Sequence, residues 1–122
     1  MKFNFNDERP IFMQLVDQIE YGILSGVFPE ESQVPSTAEI SLHYGINPAT
    51  SLKGINQLVD RGVLYKKRGM GIFVAPGAVE LLTEKRKKDF YGAFIRKLVC
   101  EAKRLNLSQE EIVSMMDRGF KE

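Results

Sequence analysis

Residues 36–62 read STAEISLHYGINPATSLKGINQLVDRG, a stretch with two helix starts and a glycine between them. Ser36 and Glu39 have the spacing of a capping box, in which each side chain bonds the other residue's backbone amide. The Asn-Pro step at residues 47–48 is a second helix start, because asparagine caps well and proline fits the first helical turn. Gly45 ends the first helix after about two turns. Two short helices joined by such a turn predict a helix-turn-helix motif.

Apolar residues at helical spacing predict the buried faces of three helices. The two helices of the motif have inward positions at Ile40 and Tyr44, and at Ile55 and Leu58. A helix from about residue 10 to residue 25 precedes them, with an apolar stripe at Ile11, Leu15, Ile19 and Ile23. Pro10 suits the first turn of that helix. Residues 27–35 contain two prolines and little periodicity, which predicts a loop.

Two β-forming segments follow the motif, at residues 63–66 and 72–74. They flank the sequence KRGMG at residues 67–71, which is basic and contains two glycines. This arrangement predicts a two-stranded hairpin, and a helix-turn-helix followed by a hairpin is a winged helix. We therefore predict a mainly α fold with a small β-hairpin.

A Pro-Gly step at residues 76–77 marks a domain boundary. We predict a winged helix-turn-helix domain at residues 1–76 and a two-helix tail at residues 77–122. The first tail helix is expected from about residue 79 to residue 105. A second capping-box spacing, Ser108 to Glu111, opens the last helix.

The tail carries more apolar surface than two isolated helices bury. Packing back against the winged domain is one explanation. We predict instead a two-fold dimer interface, because it would also place two recognition helices on a palindromic site. The expected interface residues are Tyr91, Phe94, Ile95, Leu98, Ala102, Leu105, Ile112 and Met116.

The net charge of +1 is unevenly distributed along the chain. Residues 1–45 carry two basic and seven acidic side chains, whereas residues 46–76 carry five basic and one acidic. DNA affinity depends on local neutralisation of phosphates rather than on the global charge. The positive segment is therefore compatible with DNA binding, although many charged runs are only solvated surface.

Residues 26–74 resemble the winged helix of the GntR family of bacterial transcription regulators at many fixed offsets. The matching positions are Gly26, Pro29, Val34, Pro35, Ser36, Glu39, 44–50, Leu58, 62–64 and 68–74. The phrase Asn47-Pro48-Ala49-Thr50 and the short helical tail resemble the YtrA subfamily in particular. The likeness is close over residues 9–76, and it rests on length and helicity alone over residues 77–122.

This resemblance implies a sequence-specific DNA-binding regulator, a repressor, which as the predicted homodimer would bind a palindromic operator. The single cysteine fits a reducing cytoplasm. We expect neither enzymatic activity nor a cofactor. Relatives of the YtrA type commonly control operons for membrane transporters. The tail is too short for a separate effector domain, so any small-molecule effector would bind at the dimer interface or between tail and winged domain.

The chain departs from the family pattern at the start of both helices of the motif. Ala38 stands where the family usually has arginine, and Asn47-Pro48 replaces a common Ser-Arg pair, as is usual in the YtrA group. Ser51 replaces a commoner valine, and Leu52 stands where a polar residue is usual. Because the usual base-reading arginine is missing, the family's operator consensus is not expected here.

The N-terminal residues of a recognition helix contact base edges and nearby phosphates. We expect Thr50 to bond a phosphate or a base, and Ala49 to touch a thymine methyl group. Lys53 is expected to contact a base or a phosphate. Asn47 has a competing role as the helix cap, which engages its side chain.

The start of the first motif helix is a further expected phosphate site, because helix N-termini present free amides. Ser36 would contribute its backbone while its side chain caps the helix, and Thr37 would make the more direct contact.

The hairpin turn carries the remaining expected contacts. Its charged residues are Lys66, Lys67 and Arg68, and an arginine at such a tip suits the minor groove. Gly69 and Gly71 would let the turn approach DNA closely. Lysines also serve on edge strands for solubility alone, which is the competing interpretation.

The sequence contains little that points to enzymatic chemistry. His43 is the only histidine and is expected on the surface of its helix, so no metal cluster based on histidines is available. Cys100 is the only cysteine, so it forms no intrachain disulfide and is expected to behave as a small hydrophobe. No apolar run approaches the roughly 20 residues of a membrane span, and no signal peptide begins the chain, so no membrane partner is expected.

Two other functions stay open from the sequence. A winged helix also serves as a scaffold for protein interaction, which the acidic residues of 1–45 favour. A ligand sensor that has lost DNA binding is the other. Alanine at position 38 favours both slightly. Salt dependence separates them from a DNA-binding protein, whose affinity falls steeply as salt rises.

Overall fold

A computed structural model describes residue 3 and residues 8–122. Its elements are α1 (Ile11–Leu24), β1 (Gln33–Val34), α2 (Thr37–Tyr44), α3 (Pro48–Asp60), β2 (Leu64–Lys67), β3 (Gly71–Val74), α4 (Ala78–Phe90), a π-helical turn (Tyr91–Ile95), α5 (Arg96–Arg104) and α6 (Gln109–Lys121). The chain divides into two compact units, Met1–Glu84 and Lys85–Glu122. The predicted fold class, mainly α with a small sheet, is confirmed.

The helix-turn-helix begins and ends at the predicted residues. Ser36 Oγ accepts a hydrogen bond from the amide of Glu39 at 3.0 Å, and the Ser36 amide donates to the Glu39 carboxylate at 3.3 Å. At α3, Asn47 Oδ1 accepts from the amide of Ala49 at 2.8 Å. Gly45 has a φ of 66°, a left-handed conformation that glycine adopts without a steric penalty. Local capping chemistry therefore defines both helices.

The first unit is built on one apolar core. Its fully buried members come from every element of that unit and include Leu15, Ile19, Ile23, Val34, Ile40, Ile55, Leu58, Leu64, Val74 and Leu82. Gly54 lies where α1 and α3 cross, since a Cβ there would sit 3.0 Å from Leu15 Cδ2 and 3.2 Å from the Phe12 carbonyl oxygen. The missing side chain lets α3 approach α1 closely.

The sheet has three antiparallel strands in the order β1-β3-β2. The predicted hairpin is confirmed by the pairing of Leu64 with Val74 and of Lys67 with Gly71. The prediction of a loop throughout residues 27–35 is wrong, because Gln33 and Val34 pair with Phe73 and Ile72 as a third strand. Two residues are too few to show the alternation that marks a strand.

Two predicted boundaries differ from the structure. Pro10 is the residue before α1 rather than part of its first turn, with an extended ψ of 146°. The first compact unit extends beyond residue 76, because Ala78 and Leu82 of α4 are buried in its core. The proposed division of function between residues 1–76 and 77–122 stays a prediction.

The second unit is helical except for the turn at residues 105–108 and the last residue. The predicted helix over residues 79–105 is present as α4, the π-helical turn and α5 in succession. The final helix starts at the predicted cap, where Ser108 Oγ accepts from the amide of Glu111 at 3.1 Å. Over residue 3 and residues 8–122, no helix combines the length and apolar character that crossing a membrane requires.

Candidate nucleic-acid interface

The recognition helix α3 has one buried side and one open side. Ser51, Gly54, Ile55 and Leu58 are buried against the rest of the unit. Ala49 and Lys53 are exposed on the opposite side, as predicted, and Thr50 is half-buried at its edge. The exposed side of α3 is thus available to a partner. The major groove of DNA is wide enough to admit one α-helix.

A buried hydrogen bond fixes how α2 and α3 cross. Ser41 Oγ on α2 donates to Ser51 Oγ on α3 at 2.8 Å, and Ser51 is fully buried. The serine at position 51 therefore has a partner that valine would lack. This bond ties the outward face of α3 to the position of α2.

Lys53 lies closer to α1 than sequence reasoning anticipated. Its ammonium group is 4.1 Å from the centroid of the Phe12 ring, a cation–π contact. The side chain stays exposed, so it can still meet a phosphate. The contact directs it toward the α1 side of the recognition helix and away from the hairpin.

The start of α2 is already occupied by its own cap. The Ser36 hydroxyl bonds the amide of Glu39, and the Glu39 carboxylate lies back over the same helix end. Ser36 and Thr37 are both half-buried. Only backbone amides and the Thr37 hydroxyl therefore suit a phosphate here.

The hairpin presents its two lysines on opposite faces of β2. Lys66 shares the face of buried Leu64 and donates to Asn56 Oδ1 of α3 at 3.0 Å. Lys67 lies on the other face, with its ammonium 4.5 Å from the centroid of the Phe73 ring. Because successive side chains of a strand alternate, only Lys66 is joined to the recognition helix.

The turn of the hairpin is held by a residue far away in sequence. Gln33 Nε2 donates to the Met70 carbonyl at 3.0 Å. Gly71 has a φ of 126°, and a Cβ there would meet Gln33 Nε2 at 2.5 Å. Gly69 also has a positive φ, of 77°, and open space around it. Arg68 is exposed at this tip.

Two residues of this surface escaped sequence reasoning. Asn56 lies on the exposed side of α3, seven residues after Ala49, and bridges to the hairpin through Lys66. Its helical spacing was a usable signal. Gln33 had no such signal, because its contact depends on the pairing of β1 with β3.

The residues expected at a dimer interface are largely open in the single chain. Tyr91, Phe94, Leu98, Leu105 and Met116 are exposed, and Ile95 and Ile112 are half-buried. Ala102 differs, since it is 7% exposed within its own unit. Phe90 and Phe94 stack on each other with ring centroids 5.1 Å apart, and Phe90 is also exposed.

The single histidine and the single cysteine are both exposed. His43 is exposed on α2, beside the Tyr44 ring at 4.8 Å between centroids. Cys100 is exposed on α5 rather than packed as a small hydrophobe. In the part of the chain that the structure describes, no group of three histidine, cysteine or acidic residues is arranged to hold a metal.

The chain is similar over nearly its whole length to proteins named as transcription regulators. The HTH-type transcriptional regulator YhcF of Bacillus subtilis is 27% identical over 115 residues, which cover 93% of this chain and 92% of YhcF. The repressor YtrA of the same organism is 24% identical over 84% of this chain and 78% of its own length. The repressor NagR, also from Bacillus subtilis, is 30% identical over 80 residues, and this chain spans only 33% of it. No protein-family model matches the chain.

Solved structures agree with these relatives. A transcriptional regulator of the GntR family from Bacteroides thetaiotaomicron is 32% identical, with a TM-score of 0.73 over 91% of this chain and 96% of its own. The DNA-binding domain of AraR in complex with an operator is 28% identical, with a TM-score of 0.56 over 62% of this chain and 96% of that domain. YhcF, NagR and the Bacteroides protein are all named as transcription regulators or repressors, which confirms the expectation of a regulator rather than an enzyme.

Proposed function

Because this chain belongs to the GntR family of transcription regulators, we propose that it is a repressor that binds a palindromic operator as a homodimer. DNA-binding regulation of transcription is the function that its named relatives share. The observation that carries the proposal is that an open recognition helix and a basic hairpin lie on one surface. The two are joined by the hydrogen bond that Lys66 donates to Asn56. The AraR domain, to which the winged unit is similar, binds operator DNA in its solved complex.

In this proposal α3 enters the major groove and the hairpin follows the backbone beside it. Ala49 and Thr50 face base edges and Asn47 stays at the helix cap. The hairpin tip, where Arg68 precedes Gly69, a glycine of positive φ, approaches the minor groove. Lys66 and Lys67 neutralise phosphates on either side of β2.

Dimerisation through the second unit supports the palindromic site. The π-helical turn, α5 and α6 leave aromatic and aliphatic side chains exposed, and clusters of exposed apolar residues mark interaction surfaces. A two-fold axis through that surface would repeat the recognition helix once per half-site. The operon controlled would encode a membrane transporter, and any small-molecule effector would bind at the dimer interface or between the tail and the winged domain.

A fluorescence-anisotropy titration tests this function. The full chain is titrated against the DNA upstream of its own gene and against a scrambled duplex, at about 50 mM and 200 mM salt. We expect preference for the upstream DNA and a loss of affinity of about a thousandfold at the higher salt, as for six or more phosphate contacts. Equal binding to both duplexes, with little effect of salt, would contradict the proposal and favour an interaction scaffold.

A further inference from the structure

Leu52 is an exposed leucine in the middle of the recognition helix. Its side chain is 44% exposed, although the same helix buries Ser51, Gly54 and Ile55 completely or nearly so. It follows a buried residue and precedes a charged one, so it lies at the edge of the open side. The exposed part of the Leu52 side chain is therefore free, among the described residues, for a contact with a partner.

The neighbours of Leu52 define what can cover it. Ala49 precedes it by three residues and Asn56 follows it by four, so all three share one side of the helix. Lys53 is drawn away to the Phe12 ring. The result is a short strip, Ala49–Leu52–Asn56, that is apolar for two residues and polar at the hairpin end, where Lys66 bonds Asn56.

We infer that Leu52 is a specificity-determining residue that recognises thymine through its C5 methyl group. The inference rests on the proposed function, since it takes α3 to lie in the major groove. There the thymine methyl is the one apolar group that base pairs present, and every other feature is a hydrogen-bond donor or acceptor. A leucine side chain has no hydrogen-bond donor or acceptor, so the thymine methyl group is the feature of a base pair that it can recognise.

The charges around the strip favour DNA over an apolar protein partner. Residues 46–76 carry five basic side chains and one acidic one, and Lys66 of the hairpin contacts the strip at Asn56. A protein interface with an apolar centre usually has few charges at that centre and a mixed rim. A phosphate backbone instead requires the basic surroundings that this strip has.

Thymine-to-deoxyuridine substitution tests the inference, because it removes the methyl group and nothing else. Random duplexes are first enriched on the full chain, and each thymine of an enriched duplex is then replaced in turn by deoxyuridine. We expect one or two positions in each half-site at which the loss of one methyl weakens binding about fourfold, the value for one buried methylene-sized group. Leu52→Ala is expected to weaken binding to the thymine duplex and to be indifferent to deoxyuridine at those positions.

Two further variants keep the test specific. Leu52→Met retains an apolar side chain of similar volume, so it should keep the sensitivity to deoxyuridine. Leu81→Ala, on α4, removes a leucine of nearly equal exposure, 46%, outside the recognition helix and should bind both duplexes as the parent does. Thermal melting confirms that all three variants fold.

The outcomes separate this inference from the function on which it rests. If the parent enriches no duplex, the proposed function fails and the inference fails with it. If the parent binds an enriched duplex but ignores deoxyuridine everywhere, the function stands and the inference is wrong. Sensitivity that persists in Leu52→Ala would assign the methyl contact to another residue, such as Ala49, and would also overturn it.

Discussion

Glu30 caps the helix that leads out of the winged unit, although 47 residues separate it from Gly77. One carboxylate oxygen of Glu30 accepts from the Gly77 amide at 2.6 Å, and the other accepts from the Val79 amide at 3.3 Å. The first amides of a helix have no partner within the helix, and a negative charge there also interacts favourably with the positive end of the helix dipole. The loop before β1 therefore fixes where α4 begins.

Replacement of Glu30 should lower stability through the loss of this cap. We expect Glu30→Ala to cost about 1 kcal/mol of unfolding free energy. That loss corresponds to a fall in Tm of about 4–8 °C for a unit of this size. Glu30→Gln keeps one carbonyl acceptor and should fall between the parent and alanine. Glu80→Ala is the control, since Glu80 lies in the same first turn of α4 while the amides of Gly77 and Val79 bond Glu30. An equal loss in both alanine variants would refute the cap.

The bond between Ser41 and Ser51 should appear as coupling in a double-mutant cycle. Each alanine variant removes one partner of a bond inside the helix-turn-helix, so each should cost about 1 kcal/mol. The double variant should cost little more than either one, because no hydroxyl is left without a partner. Denaturant titration measures all three, with Ser114→Ala on exposed α6 as the control. If the cost of the double variant equalled the sum of the two single costs, the bond would be contradicted.

The parts of this fold that local chemistry defines could be predicted from the sequence. Three helices begin at the predicted caps, Ser36, Asn47 and Ser108. These caps could be predicted because a cap and its partner amide lie within three residues of each other. The apolar stripes likewise located the core of the first unit. Short-range pairing of this kind requires no knowledge of the rest of the chain.

Contacts over long distances in sequence were beyond prediction. Strand β1 is recognisable only once β3 is in place, and the same holds for the Gln33 bond to the hairpin turn. The candidate site shows both cases. The exposure of Ala49 and Arg68 followed from periodicity and the turn, whereas the contact of Lys53 with Phe12 depends on how α1 crosses α3.

The two glycines of the hairpin turn should differ in their tolerance of a side chain. Gly71→Ala forces a residue to a φ of 126° and places its Cβ 2.5 Å from Gln33 Nε2, so that the Gln33 side chain must turn away and lose its bond to the Met70 carbonyl. Gly69→Ala meets the cost of a positive φ alone. We expect about 1–3 kcal/mol for Gly71→Ala and less for Gly69→Ala, measured by thermal melting. Gln33→Ala should cost less in the Gly71→Ala background than in the parent, because the bond to the Met70 carbonyl is already lost there. Equal costs in both backgrounds would show that the alanine at position 71 does not displace Gln33.

Dimerisation through the second unit predicts that a charge on its apolar face separates the protomers. Leu98→Asp places a carboxylate on a residue that is 39% exposed in the single chain and would be buried between two copies. Sedimentation at micromolar concentration should find the parent as a dimer and the variant as a monomer. Leu42→Asp, on a leucine that is 89% exposed on α2, should sediment as the parent. A monomeric parent would overturn the proposed assembly.

Arg68 and Lys53 should affect DNA binding in different ways, because the structure places them differently. Arg68 is exposed at the hairpin tip, whereas Lys53 lies on α3 with its ammonium group held at the Phe12 ring. If each Arg68 neutralises one phosphate, Arg68→Ala should weaken binding to all duplexes alike and reduce the slope of log K against log salt by about 0.9 for each protomer. Lys53→Ala should reduce the slope by less than Arg68→Ala does, because the Phe12 ring already engages the Lys53 ammonium group. Arg118→Ala removes the same charge from α6 and should alter neither. If Arg68→Ala and Lys53→Ala both kept the salt slope and the sequence preference of the parent, DNA would bind another face of the winged unit.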